Sequence, residues 1–397
     1  MTFAFVAILC LLLLLDIFVF WRMYALLDAV RRPRIWRAIL CLMAFTALAF
    51  WVTGVVALPL LGGTRDPLPR WLIASLYIWH FLALPLMVVS LLIDLLIRAI
   101  RKVWRRSDAK AQTPDESPPS PMLSRRNFLT SLGLTAVPAA TLSLAGVSMT
   151  QLGKFRIKPY DLSFAGWPRE LDGYTITIVA DVHHGAFSTQ KMLDDIADAT
   201  NRLRSDLILL AGDLINIALS DLPSALEMVL RMNARDGVYM IQGNHDVIQG
   251  SDHFNDAVRR RGVNLLVDEA ATITARGISF QVLGSRWTSD NRMNESVAYT
   301  AGLRDPAMFA LMLAHHPHSW DTAAACGIPL VISGHTHGGQ IMLTDRIGGG
   351  PLRFKYWSGQ YDRPGSTLVV SNGVGNWFPL RVNAPAEILQ LTMHPKA

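Results

Sequence analysis

Histidine, aspartate and asparagine residues follow five short apolar runs in the second half of this sequence. They are Asp181 and His183, Asp213, Asn244 with His245 and Asp246, His315, and His335 with His337. Imidazole nitrogen binds Mn, Fe or Zn, carboxylate oxygens can bridge two such ions, and an amide oxygen adds a neutral ligand. Two ions about 3.5–4 Å apart can polarise a phosphoryl group and activate a water molecule. The residue types therefore indicate a two-metal site for phosphoryl chemistry.

The segments around these residues predict an α/β domain. From Tyr174, short apolar runs alternate with helix-length segments: YTITIVAD, TQKMLDDIADATNRL, DLILLAGD, LPSALEMVLRM and GVYMIQGNHD. This alternation is typical of a layered α/β fold, and later apolar runs come closer together, which favours a second sheet packed on the first. Since ligands bind at the carboxyl ends of strands in such sheets, the polar residues should meet at one edge. Glycines before Asp213, Asn244 and His335 should allow tight turns there.

The ordered set of motifs resembles that of the calcineurin-like metallophosphoesterases. The motifs are Asp-x-His, Gly-Asp, Gly-Asn-His-Asp, His and Gly-His-Thr-His, and the resemblance covers roughly residues 170–395. The ending SNGVGNWFPLRVNAPAEILQLTM is similar to the final strands of the family's small membrane-associated bacterial members. The resemblance implies an α/β four-layer sandwich, with two mixed β-sheets flanked by helices, preceded in this chain by a transmembrane helical region.

The resemblance also implies a role for each polar residue. Seven side chains would bind two divalent ions of Mn, Fe or Zn: Asp181, His183 and His337 one ion, Asn244, His315 and His335 the other, and Asp213 both. His245 would bind no metal. It would face the substrate, stabilise the phosphoryl transition state and protonate the leaving oxygen, a role that suits a histidine with a near-neutral pKa.

The sequence departs from the family pattern at three positions. Asn216 stands where family members often have an acidic residue that orients the catalytic histidine. His184 and His316 each double a histidine of the ligand set, and motif position assigns them to the pocket wall rather than to the metals.

Four aromatic residues could line a substrate pocket or serve local packing: Trp287, Trp357, Trp377 and Phe378. Arg286 and Arg381 are weaker candidates for contact with a substrate phosphate.

The first part of the chain has the composition of a membrane region. The sequence is 51% hydrophobic, and residues 1–150 carry 15 Lys and Arg against 7 Asp and Glu. Three runs reach the roughly 20 apolar residues that a bilayer crossing needs: 3–21, about Trp36 to Leu61, and about Trp71 to Ile97. We therefore expect a membrane region at 1–104 with three transmembrane helices. Its basic loops place the first and third connections in the cytoplasm.

Two segments connect the membrane region to the predicted catalytic domain at 151–397. Residues 105–123 are rich in proline, serine and charge, which predicts a flexible linker. Residues 124–150 begin SRRNFL and resemble a bacterial twin-arginine export signal, although they lie inside the chain. The alternative is a fourth anchoring helix that follows the positive-inside bias. Both interpretations predict a multi-pass protein of the bacterial inner membrane with its catalytic domain on the periplasmic or external side.

The predicted function is a membrane-anchored phosphoesterase that hydrolyses phosphate ester or pyrophosphate bonds by metal-activated hydroxide. Anchoring favours a phosphorylated substrate that is lipid-linked or lies at the membrane surface. A nucleic-acid partner is not expected, since residues 151–397 carry 22 Lys and Arg against 24 Asp and Glu. One alternative is a pyrophosphatase for a nucleotide-linked acylated sugar at the cytoplasmic face. The other is a non-catalytic membrane scaffold or sensor that uses the fold as a binding module.

Overall fold

The structure, a computed structural model, describes residues 3–29, 37, 41, 44, 70–108, 125–288, 292–344 and 347–396. These residues form two compact units, Met1–Gly146 and Val147–Ala397. Most of the predicted second span, from about Trp36 to Leu61, and most of the predicted linker at 105–123 lie outside the described residues.

The first unit contains long apolar helices. They are α1 (Phe3–Ala29), α2 (Arg70–Ile78), a π-helical turn (Trp79–Ala83), α3 (Leu84–Asp108) and the start of α4 (Arg125–Gln151). Among the described residues, one stretch, Ala74–Ile97, is long and apolar enough to cross a membrane. On α3 the side chains of Leu86, Leu92 and Leu96 are more than half exposed. An apolar face of this kind indicates contact with lipid or with another protein.

A buried polar cluster joins α1 to the π-helical turn. The Nε2 atom of His80 lies 2.8 Å from Asp16 Oδ2, and Trp79 Nε1 donates to Asp16 Oδ1 at 2.9 Å. A buried carboxylate is costly unless it is hydrogen-bonded. The two contacts therefore stabilise Asp16 within its apolar surroundings.

The second unit contains helices and strands in alternation. After α4, its helices are α5 (Gln190–Arg202), α6 (Leu222–Arg231), α7 (Ser251–Arg260), α8 (Arg292–Gly302) and α9 (Ser319–Ala325). Its strands are β1 (Phe155–Phe164), β2 (Tyr174–Val179), β3 (Leu207–Leu210), β4 (Val238–Met240), β5 (Asn264–Leu265), β6 (Glu269–Ala275), β7 (Ile278–Gly284), β8 (Ala310–Leu313), β9 (Leu330–Ser333), β10 (Met342–Thr344), β11 (Ile347–Gly348), β12 (Gly359–Arg363), β13 (Ser366–Val370) and β14 (Ala386–Pro395).

Most of these strands form two six-stranded mixed sheets. The first has the order β1-β14-β2-β3-β4-β5, with β2 to β5 parallel and β14 antiparallel to β2. The second has the order β12-β13-β9-β8-β7-β6, with a parallel centre and antiparallel edge strands. The α/β class and the two mixed sheets flanked by helices are confirmed. The second sheet is built from the closely spaced apolar runs.

The core has a separate layer on each face of the sheets. Side chains alternate across a strand, so Ile176 and Ile178 of β2 face the other sheet and pack with Val282 and Leu311. The outer faces pack against helices: α5 and α6 cover the first sheet, and α8 and α9 cover the second. This four-layer packing fixes the parallel strands of both sheets, and their carboxyl ends carry the predicted site residues.

Candidate metal centre

The structure brings together all eight site residues that the sequence predicts. They lie in loops that directly follow five strands: Asp181 and His183 after β2, Asp213 after β3, Asn244 and His245 after β4, His315 after β8, and His335 and His337 after β9. Both sheets therefore contribute to one edge, as expected for carboxyl ends of parallel strands.

Asp181, His183 and His337 form the first group of candidate metal ligands. The two Nε2 atoms of the histidines lie 2.9 Å apart. Asp181 Oδ1 is 4.0 Å from His183 Nε2 and 3.7 Å from His337 Nε2. All three side chains are buried. Three donor atoms that converge from different loops suit a single cation between them.

Asn244, His315 and His335 form the second group. The amide oxygen Oδ1 of Asn244 lies 3.1 Å from His315 Nε2 and 2.8 Å from His335 Nδ1. The two histidine nitrogens are 3.3 Å from each other. This group combines a neutral oxygen with two imidazole nitrogens, which is a donor set that transition ions accept.

Asp213 lies between the two groups. Its Oδ2 atom is 3.5 Å from His183 Nε2 and 3.1 Å from His315 Nε2. Its other oxygen, Oδ1, accepts a hydrogen bond from the backbone amide of His245 at 2.8 Å. One carboxylate therefore contacts both sets of donors, as a bridging ligand would.

The chemistry of the buried atoms fits a metal. Asp181 Oδ2 is buried and has no hydrogen-bond partner in the part of the chain that the structure describes. An unsatisfied buried carboxylate oxygen costs several kcal/mol in an interior of low dielectric. Coordination to a divalent ion would satisfy this oxygen and would balance the charge of two neighbouring carboxylates. The residues present therefore fit the metals that the sequence predicts.

Burial and mutual contact shift the pKa values of the carboxylates in opposite directions. Burial raises the pKa of Asp181 to about 7, against the opposing charge of His315. Burial alone would also raise the pKa of Asp213, but the charge and the hydrogen bond of His315 hold it well below its usual range. In return, the Asp213 carboxylate outweighs burial at His315 and raises its pKa to about 9.

The remaining histidines of the two groups are poised as neutral ligands. Burial lowers the pKa of His335 to about 2 and lowers the pKa values of His183 and His337 well below the usual value. At neutral pH these rings therefore carry no charge, and each has a nitrogen lone pair for a metal ion.

The backbone of the ligand loops is strained. The φ angles are 53° at Asp181, 47° at His183, 55° at Asp213, 73° at His335 and 49° at His337. The left-handed region costs a non-glycine residue on the order of 1–3 kcal/mol and concentrates at functional sites. The sequence carries no local signal of this strain.

His245 is held by main-chain contacts. Its Nδ1 atom lies 2.5 Å from the backbone carbonyl oxygen of Asn216, so the nitrogen that bears the proton donates to a neutral acceptor. Its ring lies 4.5 Å from that of His183 and 5.9 Å from that of Trp377. A carbonyl therefore orients the ring where family members often use an acidic side chain, and the substitution at Asn216 does not remove this support.

Asp246, one of the polar residues after β4, connects two loops of the site. It is buried, and it accepts hydrogen bonds from the amides of Ile215 at 3.0 Å and Gly243 at 2.9 Å. Burial raises the pKa of its carboxyl group to about 7. Asp246 thus ties the loop after β3 to the loop after β4.

Neither of the two doubled histidines belongs to the two groups of candidate metal ligands. His184 contacts the carbonyl oxygen of Ser188 through Nδ1 at 3.0 Å. The ring of His316 lies 4.7 Å from that of His335 and 6.0 Å from that of Trp287. Burial lowers the pKa of His316 to about 3. His316 thus contributes to the aromatic wall beside the second group.

The four aromatic candidates divide into two pairs. Trp287 lies 5.3 Å from the His335 ring, and Trp377 lies beside His245 and remains 38% exposed. Trp357 and Phe378 are buried. Only the first pair is placed to line a substrate pocket.

The two arginine candidates for phosphate contact have other partners. Arg286 forms a salt bridge with Asp268 at 3.1 Å. Arg381 is 1% exposed, so it lies inside the fold and cannot reach a substrate. Arg381, a weaker candidate in the sequence, is therefore not placed for a phosphate contact, because its guanidinium donates hydrogen bonds to buried oxygen atoms of the protein.

Comparison with known proteins agrees with this geometry. The sequence profile of the calcineurin-like phosphoesterases matches residues 174–339, which contain all eight site residues. This part of the chain is a calcineurin-like phosphoesterase domain. The domain includes the strands and loops that carry both groups of candidate metal ligands.

Several curated relatives share the domain. An uncharacterized metallophosphoesterase of Helicobacter pylori J99 is 27% identical over 56% of this chain and 60% of its own length. The phosphodiesterase YaeI of Escherichia coli is 27% identical over 68% of this chain and 100% of its own length. A zebrafish transmembrane protein with a metallophosphoesterase domain is 26% identical over 57% of this chain and 54% of its own length. The chain thus spans about 60% of the length of several relatives that it matches.

A glycine before the ligand His335 allows the loops of the domain to approach one another. A Cβ atom at Gly334 would overlap the carboxylate of Asp181. We expect Gly334→Ala to displace Asp181 and to weaken Mn²⁺ binding by about 10–100-fold, the usual effect of disturbing the groups that support a ligand. Mn²⁺ titration by calorimetry measures this effect.

Gly302→Ala is the matched control, because a Cβ atom there meets nothing within 4 Å. It should leave the Mn²⁺ affinity unchanged. Equal affinities for both variants and the wild type would show that close packing at Gly334 does not matter for the metal centre.

Proposed function

We propose that the chain is a metal-dependent phosphoric ester hydrolase with a dinuclear centre. Asp181, His183 and His337 would bind one ion, and Asn244, His315 and His335 the other. The observation that carries the proposal is the position of Asp213, whose Oδ2 atom lies within 3.5 Å of one histidine from each group.

Each part of the site has a task in this reaction. Two divalent ions, when bound, polarise the phosphoryl group and lower the pKa of water so that it can attack at neutral pH. Asp213 would hold both ions from its position between the two groups. The strained loops preset the ligand atoms, so that little reorganisation accompanies the reaction.

His245 would act on the substrate side of the centre. Its Nδ1–H donates to the Asn216 carbonyl oxygen, which leaves Nε2 as the nitrogen for substrate contact. When protonated, Nε2 donates to a phosphoryl oxygen as negative charge develops and can pass its proton to the leaving oxygen. General acid catalysis of this kind contributes about 10²–10⁴-fold to a rate.

Two substitutions separate metal binding from catalysis. Asp213→Asn should lower both the Mn²⁺ content of the purified full chain and its hydrolysis of a bis-aryl phosphodiester. His245→Gln should lower kcat by about 10²–10⁴-fold while the metal content stays unchanged, since this residue is proposed to bind no metal.

His253→Gln serves as the control, because His253 is exposed and lies outside both groups of metal-binding atoms. It should match the wild type in rate and in metal content. If all of these proteins hydrolyse the diester equally fast, the domain is not a phosphoesterase with this site.

We further propose a lipid-linked or membrane-surface substrate. A stretch long enough to span a membrane lies on the same chain. Three large apolar side chains near the site are exposed: Ile217 and Ile248, which lie close in sequence to Asp213 and His245, and Trp377, whose ring is 5.9 Å from that of His245. An apolar rim suits a substrate whose phosphate enters the centre while its hydrocarbon part remains at the edge.

Trp377→Ala tests this rim. The change should raise KM for a long-chain lipid phosphodiester in mixed micelles by roughly tenfold, the effect of losing about 1.4 kcal/mol of apolar contact. The kcat/KM for a soluble short-chain diester should stay within about twofold. Tyr299→Ala, which removes a side chain that is 62% exposed on α8, should change neither. An equal loss on both substrates would argue against a lipid-binding rim.

We propose that the chain lies in a bacterial inner membrane and that its catalytic domain is on the side away from the cytoplasm. The loop charges of the first 150 residues and the apolar character of Ala74–Ile97 support this topology. A reporter that is active only outside the cytoplasm should be active when fused after Ala397 and inactive when fused after Arg106. The reverse pattern would place the domain in the cytoplasm.

A further inference from the structure

Arg381 is a buried cation whose hydrogen-bond acceptors are uncharged. Its Nε donates to Asn376 Oδ1 at 2.6 Å, its Nη1 to the Ala384 carbonyl oxygen at 3.0 Å, and its Nη2 to the Gly375 carbonyl oxygen at 2.7 Å. Burial of a charge is costly even when hydrogen bonds surround it. The cost of burying this charge therefore indicates that Arg381 has a function at its position.

The guanidinium lies behind one ligand of the first metal group. Its Nη2 atom is 3.1 Å from His337 Nδ1, the ring nitrogen opposite the Nε2 that faces His183. A guanidinium can only donate, so His337 Nδ1 accepts from Arg381, and this contact is not the donated N–H of a metal-bound imidazole. Arg381 therefore acts on the site through the backbone carbonyl groups that its other hydrogen bonds hold.

The loop that surrounds Arg381 also supports Asp181. We call residues 371–376 the support loop. The amide of Gly375 donates to the Asp181 carbonyl oxygen at 2.8 Å, and the amide of Val374 donates to that of Ala180 at 2.9 Å. The support loop therefore holds the backbone of one proposed ligand, Asp181, and of the residue before it. The second group has a separate support, because His315 Nδ1 lies 2.8 Å from the Ala211 carbonyl oxygen.

The last turn of α4 holds Arg381 from the other side. Ser148 is fully buried; its Oγ accepts from the Arg381 amide at 2.7 Å and donates to the Pro379 carbonyl oxygen at 2.9 Å. Asn376, which accepts from Arg381, also donates to the Leu152 carbonyl oxygen at 2.7 Å. The end of the segment that resembles an export signal is thus built into the catalytic unit, which begins at Val147.

We infer that Arg381 positions the support loop behind Asp181 and that Ser148, in the last turn of α4, holds Arg381 in place, so that this turn is retained in the working enzyme. The inference rests on the proposed metal-dependent function. Removal of groups that support a metal ligand lowers metal affinity by about 10–100-fold. The loss should fall on the ion held by Asp181, His183 and His337 and should spare the ion held by the second group.

The test is Mn²⁺ titration of the full chain in detergent, with calorimetry to resolve two binding events. Arg381→Lys keeps the charge but loses the planar fork, and Ser148→Ala removes one hydroxyl group. Each should weaken one of the two binding events by about 10–100-fold and leave the other unchanged.

Ser366→Ala is the matched control. Ser366 is also a buried serine, and it accepts from Trp320 Nε1 at 2.8 Å and donates to the Ile328 carbonyl oxygen at 2.7 Å, at the start of β13. Ser366→Ala should lower the thermal midpoint of unfolding about as much as Ser148→Ala does, and both Mn²⁺ affinities should stay unchanged. If Arg381→Lys fails to fold, the comparison of the two serine variants decides the question.

The possible results separate the two proposals. A wild-type chain that binds fewer than two Mn²⁺ ions contradicts the proposed function itself. A wild-type chain that binds two ions, with variants at Ser148 and Arg381 that bind both equally tightly, overturns the role of Arg381 alone. Intact mass of the chain purified from membranes should include Ser148, and a mature chain that begins after Ser148 with full Mn²⁺ affinity also overturns the inference.

Discussion

Two buried carboxylates and a set of imidazoles share one small space, and the rest of the structure depends on this proximity. Asp181 and Asp213 are both fully buried, and His183 Nε2 lies within 4.0 Å of each carboxylate. Like charges in an interior of low dielectric repel, and burial disfavours their ionisation. The pKa of Asp181 rises and that of Asp213 falls, because His315 can balance only one of them well. Divalent cations are the counter-charge that this set of donors suits.

The backbone strain at the site is distributed over the loops after β2, β3 and β9. Five parallel strands from two sheets end at one edge, and each brings one or two ligand atoms. Positive φ angles turn the side chains inward, and hydrogen bonds from backbone amides hold the carboxylates: His335 N donates to Asp181 and His245 N to Asp213. The large core between the sheets offsets the local cost. The ligand positions are therefore set before any substrate binds.

The sequence predicts the site better than its surroundings, and the reason is physical. Metal ligands follow apolar strands within a few residues, so His183 or Asn244 can be recognised from short motifs. The closer spacing of the later strands also indicates the second sheet. By contrast, Arg381 resembles an exposed arginine in the sequence. Its backbone amide donates to Ser148, which lies 233 residues away in the chain, and no local pattern reports such a contact. The compact unit that contains the site begins at Val147, whereas the sequence predicts a domain start at 151. Likewise, the carbonyl that orients His245 depends on loop conformation rather than on residue type.

The most direct measurement is the anomalous scattering of Mn²⁺ in crystals of the purified protein. Two peaks are expected about 3.5–4 Å apart, one bounded by His183 and His337 and the other by His315 and His335, with Asp213 between them. A single peak elsewhere, or no peak at saturating Mn²⁺, would contradict the dinuclear centre and the catalytic role built on it.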